Sequence, residues 1–149
     1  MKTKFNFLIV GLVALFTIIA APSNGQTVNL VSGTSALFET VVNTGTAFLT
    51  TPRLLQERAS YTVVQVNVTK VSGTVGGTIT LLGSLDGTSF VALRTIETQT
   101  ALPTITAADA TAAYHWRING SPFPFYRVSW TGTGTMNATF TAQAYFMRQ

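Results

Sequence analysis

Residues 122–149 read PFPFYRVSWTGTGTMNATFTAQAYFMRQ, two runs of alternating side chains on either side of a glycine–threonine break. Before the break, Tyr126, Val128 and Trp130 share one parity and Phe125, Arg127 and Ser129 the other. After Thr131-Gly132-Thr133-Gly134, Met136, Ala138, Phe140, Ala142 and Ala144 alternate with Asn137, Thr139, Thr141, Gln143 and Tyr145. Side chains of a strand point to opposite faces in turn, whereas helical neighbours recur every ~3.6 residues, so this pattern predicts strand, turn, strand. Each run must then hide its apolar parity against a second layer.

The same period runs upstream. Tyr61 to Val71 predicts a central strand with Val64, Val66 and Val68 inward and Gln65, Asn67 and Thr69 opposite. Gly73 to Gly77 turns the chain into Thr78 to Leu85, where Ile79, Leu81 and Leu85 are expected to face the core. Asp86-Gly87 follows and predicts a type I′ hairpin with positive φ at both residues, returning through Ser89 to Ile96. Shorter strands are expected at Val28 to Val31, Ala36 to Val42, Thr46 to Thr50 and Tyr114 to Ile118. Thr98 to Ala113, with Pro103 inside it, reads as a long loop holding one short edge strand. Pro52 to Arg58 has helical leanings but is too short to hold a helix, and reads as a crossing between sheets. About seven to nine strands at this spacing predict an all-β fold, an antiparallel β-sandwich of the jelly-roll or immunoglobulin-like kind over residues 27–149. A chain of 149 residues can bury one core of this size.

Residues 1–26 have a different character. Lys2 and Lys4 precede an apolar run from Phe7 to Ala21, and Ser23 and Gly25 fit the small-residue positions of a signal-peptidase site that would leave Gln26 first. The segment is therefore expected to be an N-terminal hydrophobic helix, acting as a cleaved signal peptide or as a retained membrane anchor.

The residue inventory argues against several functions. Beyond the leader the cations are Arg53, Arg58, Lys70, Arg94, Arg117, Arg127 and Arg148, dispersed rather than clustered, so nucleic acid is not expected as a partner. There is no cysteine. His115 is the single histidine, and the carboxylates Glu39, Glu57, Asp86, Glu97 and Asp109 are scattered. General acid–base catalysis wants paired groups, zinc wants several imidazoles or thiolates, and calcium wants a cluster of oxygens such as Asp-x-Asp supplies. No Gly-x-Ser-x-Gly elbow occurs. No catalytic residue, cofactor or metal ligand is assigned, and the chain is not expected to be an enzyme.

Tyr114, Trp116, Phe123, Phe125, Tyr126 and Trp130 concentrate aromatic surface late in the chain. Tyr126 and Trp130 share the parity of Val128 and belong to the core, which leaves Phe123, Phe125 and Arg127 as the candidate contact with another molecule. Aromatics with arginine are enriched in protein interfaces, so that contact is expected to be a protein subunit before a glycan. The sequons at Asn67, Asn119 and Asn137 follow from threonine-rich composition.

Ser84-Leu85-Asp86-Gly87-Thr88-Ser89-Phe90 is similar to a Ser-x-Asp-Gly-x-x-aromatic turn of discoidin-like and phage sandwich domains, and comes near the Asp-box of sialidase propellers. In those families the motif is a folding device, with the Asp shaping the turn and the aromatic packed beneath it. More broadly, Val63 to Phe90 and Phe123 to Ala144 resemble small β-sandwich structural proteins of bacteriophages. Those chains pair a Gly-Thr-x-x-Leu-x-Gly-Ser-x-Asp-Gly strand turn, here residues 77–87, with a late Tyr-Arg-Val…Gly-x-Gly-Thr hairpin, here residues 126–135. The leader resembles those of exported Bacteroidota proteins. The resemblance implies a non-enzymatic virion component, a minor capsid, spike or decoration subunit, with residues 1–26 contacting a membrane. The alternative is an exported bacterial sandwich, on the cell surface or secreted, serving adhesion, filament assembly or glycan binding.

Overall fold

The computed structural model describes residues 25–32, 36–54, 59–95, 100–119 and 123–147. The expected N-terminal helix lies outside the described residues, and among those described no helix is long and apolar enough to cross a membrane.

Ten strands make up the fold: β1 (Gly25–Asn29), β2 (Glu39–Val42), β3 (Thr46–Thr50), β4 (Tyr61–Gly73), β5 (Gly77–Ser84), β6 (Val91–Ala92), β7 (Ile105–Thr106), β8 (Ala112–Asn119), β9 (Phe125–Gly132) and β10 (Met136–Met147). All pairings are antiparallel. Sheet I runs β1-β10-β4-β8, and β2 joins the same side of β10 as β1, further along. Sheet II runs β3-β9-β5-β6, with β7 beside β6 on the free side of β5. The long strands β4 and β10 form the spine of sheet I because their apolar alternation is sustained, in β4 as far as Thr69. Val64, Val66, Val68, Ala138, Phe140, Ala142, Ala144 and Phe146 are all buried.

The two inner faces meet in one core. Tyr126, Val128 and Trp130 of β9 are fully buried, and they pack across the sheets on β10 through Tyr126–Phe146 and Trp130–Phe140 ring contacts. Burying an aromatic indole is favourable only if its N–H finds an acceptor. Trp130 Nε1 donates to the Gly76 carbonyl at 3.2 Å, and Trp116 Nε1 to the Pro103 carbonyl at 2.9 Å. Leu30, at the end of β1, closes the core: its N–H donates to Ala142 in sheet I while the next residue, Val31, bridges to Thr50 in sheet II. Each such large side chain contributes roughly 1.5–3 kcal/mol by leaving water.

Turn chemistry fixes the connections. Asn43 takes positive φ between β2 and β3, and Gly73 and Gly77 do so between β4 and β5. At Gly77 the backbone lies so close to Thr131 and Gly132 of β9 that any side chain would collide. A bulge opposite Asn137 and Ala138 leaves Val71 outside the β4–β10 register and exposed.

Several expectations require correction. Leu85 does not face the core; it is 72% exposed, because β5 ends at Ser84 and the chain leaves the sheet there. Asp86-Gly87 is not a type I′ hairpin, since Gly87 has φ 77° while Asp86 stays out of the left-handed region. The return strand shrinks to Val91–Ala92 plus an isolated bridge from Arg94 to Ala101, and β1 starts earlier than expected, at Gly25.

Candidate assembly surface

The outward parity of β9 forms the middle of sheet II's outer face. Arg127 stands in register with Thr50 of β3 on one side and Leu82 of β5 on the other. Its guanidinium lies over two rings, 4.1 Å from the centroid of Phe48 and 3.6 Å from that of Phe90, and its Nε donates to Thr50 Oγ1 at 3.0 Å. Ring faces carry negative potential, so each ring attracts the cation while shielding it from water. That partial burial lowers the guanidinium pKa from its ordinary value, though arginine remains charged at any working pH.

The loop after β5 delivers Phe90 to this position. Ser84, itself buried, donates its hydroxyl to Asp86 Oδ1 at 2.8 Å and accepts the Gly87 N–H at 2.9 Å. Asp86 Oδ1 accepts the N–H groups of Ser89 at 2.7 Å and Thr88 at 2.8 Å. These bonds hold the Asp86 carboxyl far below the usual carboxylate range, the Ser89 amide contributing most. The motif therefore shapes the turn. Its aromatic does not pack beneath, however: the ring against Gly87 is that of Phe125, and Phe90 goes to Arg127 instead.

The three residues singled out as a contact part company here. Phe125 and Arg127 share the outer face, but Phe123 precedes β9, where Pro124 breaks the alternation. Phe123 turns inward against Gly83 and Leu93 and packs on the core. With Gly83, Ser84, Leu85, Asp86, Ser89 and Val91 it lines a shallow cleft at the end of the sandwich. Phe48, Phe90 and Thr50, which build the cation site, were not anticipated. The parity of Thr46 to Thr50 already held the signal for Phe48, since Leu49 is buried and its neighbour must face out.

A second apolar area lies along the opposite sheet's edge. Leu37, Phe38 and Val42, in and just before β2, are 54%, 55% and 51% exposed. Elsewhere, Lys70 and Asp109 form an ion pair at 2.7 Å, the single one among the described residues. Asp109 also accepts the Val75 N–H, and these partners lower its pKa, Lys70 foremost. His115 is exposed on β8, in register with Gln65. Among the described residues no three of His, Asp and Glu gather where they could hold a metal.

No family model matches the chain, and no curated protein matches it. Among solved structures, one described as "Bacillus endospore appendages form a novel family of disulfide-linked pili" aligns over 89% of this chain and 100% of that one, at 15% identity and a TM-score of 0.37. A likeness at that level carries no argument about this chain.

Proposed function

We propose that this chain is a non-enzymatic structural subunit that works by associating with other protein subunits, and that the assembly is a bacteriophage particle in which it is a minor capsid, spike or decoration protein. The observation that carries the assembly reading is the exposure of large apolar side chains among the described residues: Leu37, Phe38 and Val42 on one edge, and Phe48, beside Arg127 and the half-buried Phe90, on the other sheet. With only 9% charged residues, the chain has few solvating groups to keep such surfaces apart, which favours their coverage by neighbours. The strand orders β2-β10-β4-β8 and β3-β9-β5-β6 support reading the sandwich as a jelly roll, in which nearly every connection crosses between sheets. The non-catalytic reading rests on chemistry: Asp86 is committed to its turn and Asp109 to Lys70, and His115 stands exposed on a strand face.

A second reading, an exported bacterial surface or secreted protein, is favoured by the leader pattern of residues 1–26. Glycan stacking gains little support, because the ring faces of Phe48 and Phe90 already hold Arg127 and Phe123 packs on the core. Mass spectrometry of nucleic-acid-containing particles purified from the source culture tests the virion reading, which predicts the chain at constant stoichiometry with the capsid protein. Its recovery only from the medium or cell surface, beginning at Gln26, would instead support export, whereas Met1 on the particle-borne chain would support a retained anchor.

A further inference from the structure

Strand register places several chain segments at one end of the sandwich. Met147 of β10 stands opposite both Gly25 of β1 and Tyr61 of β4, and Tyr61 stands opposite Asn119 of β8. The Tyr126–Phe146 contact brings the start of β9 to the same level, and Phe125 there is in register with Ser84, where β5 ends. The shallow cleft lined by Leu85, Val91 and Phe123 therefore opens at the end where β1 begins. Leu85 and Val91 are 72% and 55% exposed, and aliphatic side chains around an apolar cleft gain from burial against another surface.

The leader indicates which surface is within reach. Its apolar run from Phe7 to Ala21 is separated from β1 by Pro22, Ser23 and Asn24 alone. Three extended residues span at most roughly 11 Å. The 12 residues of β10 span about 40 Å at ~3.4 Å each. A bilayer holding that run therefore has the Gly25 end of the sandwich beside its headgroups, and the turn at Gly134 out of reach. Charge at the near end agrees. Arg53 is exposed there, placed by the Leu54 N–H bond to the Pro124 carbonyl, and the Arg117 guanidinium lies 4.5 Å from the centroid of the Tyr61 ring. Among the described residues the one carboxylate at this end is Asp86, whose Oδ1 is taken by Ser84, Thr88 and Ser89. Arginines attract anionic headgroups, and tyrosines favour the membrane interface.

We propose that the Gly25 end of the sandwich rests on an anionic lipid bilayer, with Leu85, Val91 and the Phe123 cleft against the boundary between headgroups and acyl chains and with Arg53 and Arg117 on the phosphates. This rests on the reading of residues 1–26 as a retained anchor and names the surface that such an anchor draws down.

The chain has no cysteine, so single cysteines can be labelled one at a time. Leu85→Cys, Val91→Cys and, at the opposite end, Thr133→Cys are made in the full chain and labelled with an environment-sensitive NBD fluorophore. Each is reconstituted from mild detergent into vesicles of phosphatidylethanolamine and phosphatidylglycerol, with and without a lipid carrying a nitroxide quencher high on its acyl chain. Flotation reports whether the chain is held by the vesicles. The Leu85→Cys and Val91→Cys labels should be blue-shifted, and quenched at least about twofold more strongly than the Thr133→Cys label. Two test positions are used so that the loss of one variant to misfolding, read by circular dichroism, leaves the other. A chain that floats with the vesicles while these labels are quenched no more than the Thr133→Cys label would overturn the contact and leave the anchor standing. Labels that are blue-shifted but not quenched would put a protein surface in the cleft and overturn it as well. A chain that does not float would overturn both the contact and the anchor.

Discussion

Trp130 on β9 meets Phe140 on β10 edge to face, with ring centroids 5.6 Å apart and planes at 80°, and both side chains are almost wholly buried. The two strands belong to different sheets, so this contact, with Tyr126–Phe146 at 6.2 Å, ties the layers together at their middle strands. Trp130→Ala and Phe140→Ala should each destabilise the fold by about 3–5 kcal/mol. A double-mutant cycle by urea denaturation should find them coupled by about 0.5–1.5 kcal/mol. Strict additivity would place the rings apart.

Asp86 links the turn to pH. Its folded pKa is depressed below the unfolded value of ~3.9, so its contribution is fully present above that value and is lost as pH falls through the lower folded one. Asp86→Asn should therefore have a lower melting midpoint than the wild type at pH 7, with the gap narrowing below about pH 4. Melting curves at both pH values check this, and a gap that widens in acid would contradict it.

Two glycines with positive φ should respond unequally. Gly134 has φ 73° and nothing within 4 Å of a added methyl group, so Gly134→Ala should cost only the backbone term, about 1–2 kcal/mol. Gly77 has φ 113° and lies against the backbone of Thr131 and Gly132, so Gly77→Ala should cost more and displace β5 from β9. Chemical denaturation of the two variants side by side measures the difference.

His115 stands exposed on β8 across from Gln65. His115→Ala should leave stability within about 0.5 kcal/mol of the wild type. It should also leave self-association of the chain unchanged, which sedimentation velocity reads.

How far the sequence could be read depended on whether period 2 persisted. β9 and β10 alternate throughout and β4 does so as far as Thr69, and each inward residue predicted there, from Val64 to Ala144, is buried. The reading failed where turns end a strand. Leu85 continues the parity of Leu81 on paper, but Ser84 caps the turn and sends the chain out of the sheet. Phe123 continues the parity of Phe125, but Pro124 reorients it toward Gly83. The site at Arg127 depends on three segments far apart in sequence, Phe48, Phe90 and β9, whose proximity is set by sheet order rather than by local pattern. Two-residue strands such as β6 and β7 carry no period at all and become strands only because β5 offers them an edge.

An assembly role requires that other subunits cover the exposed apolar side chains of β2 and β3. Sedimentation equilibrium of the wild-type chain at micromolar concentration measures this directly. The predicted result is a mass several times that of one chain, falling toward it on dilution; a single-chain mass throughout would contradict the assembly role.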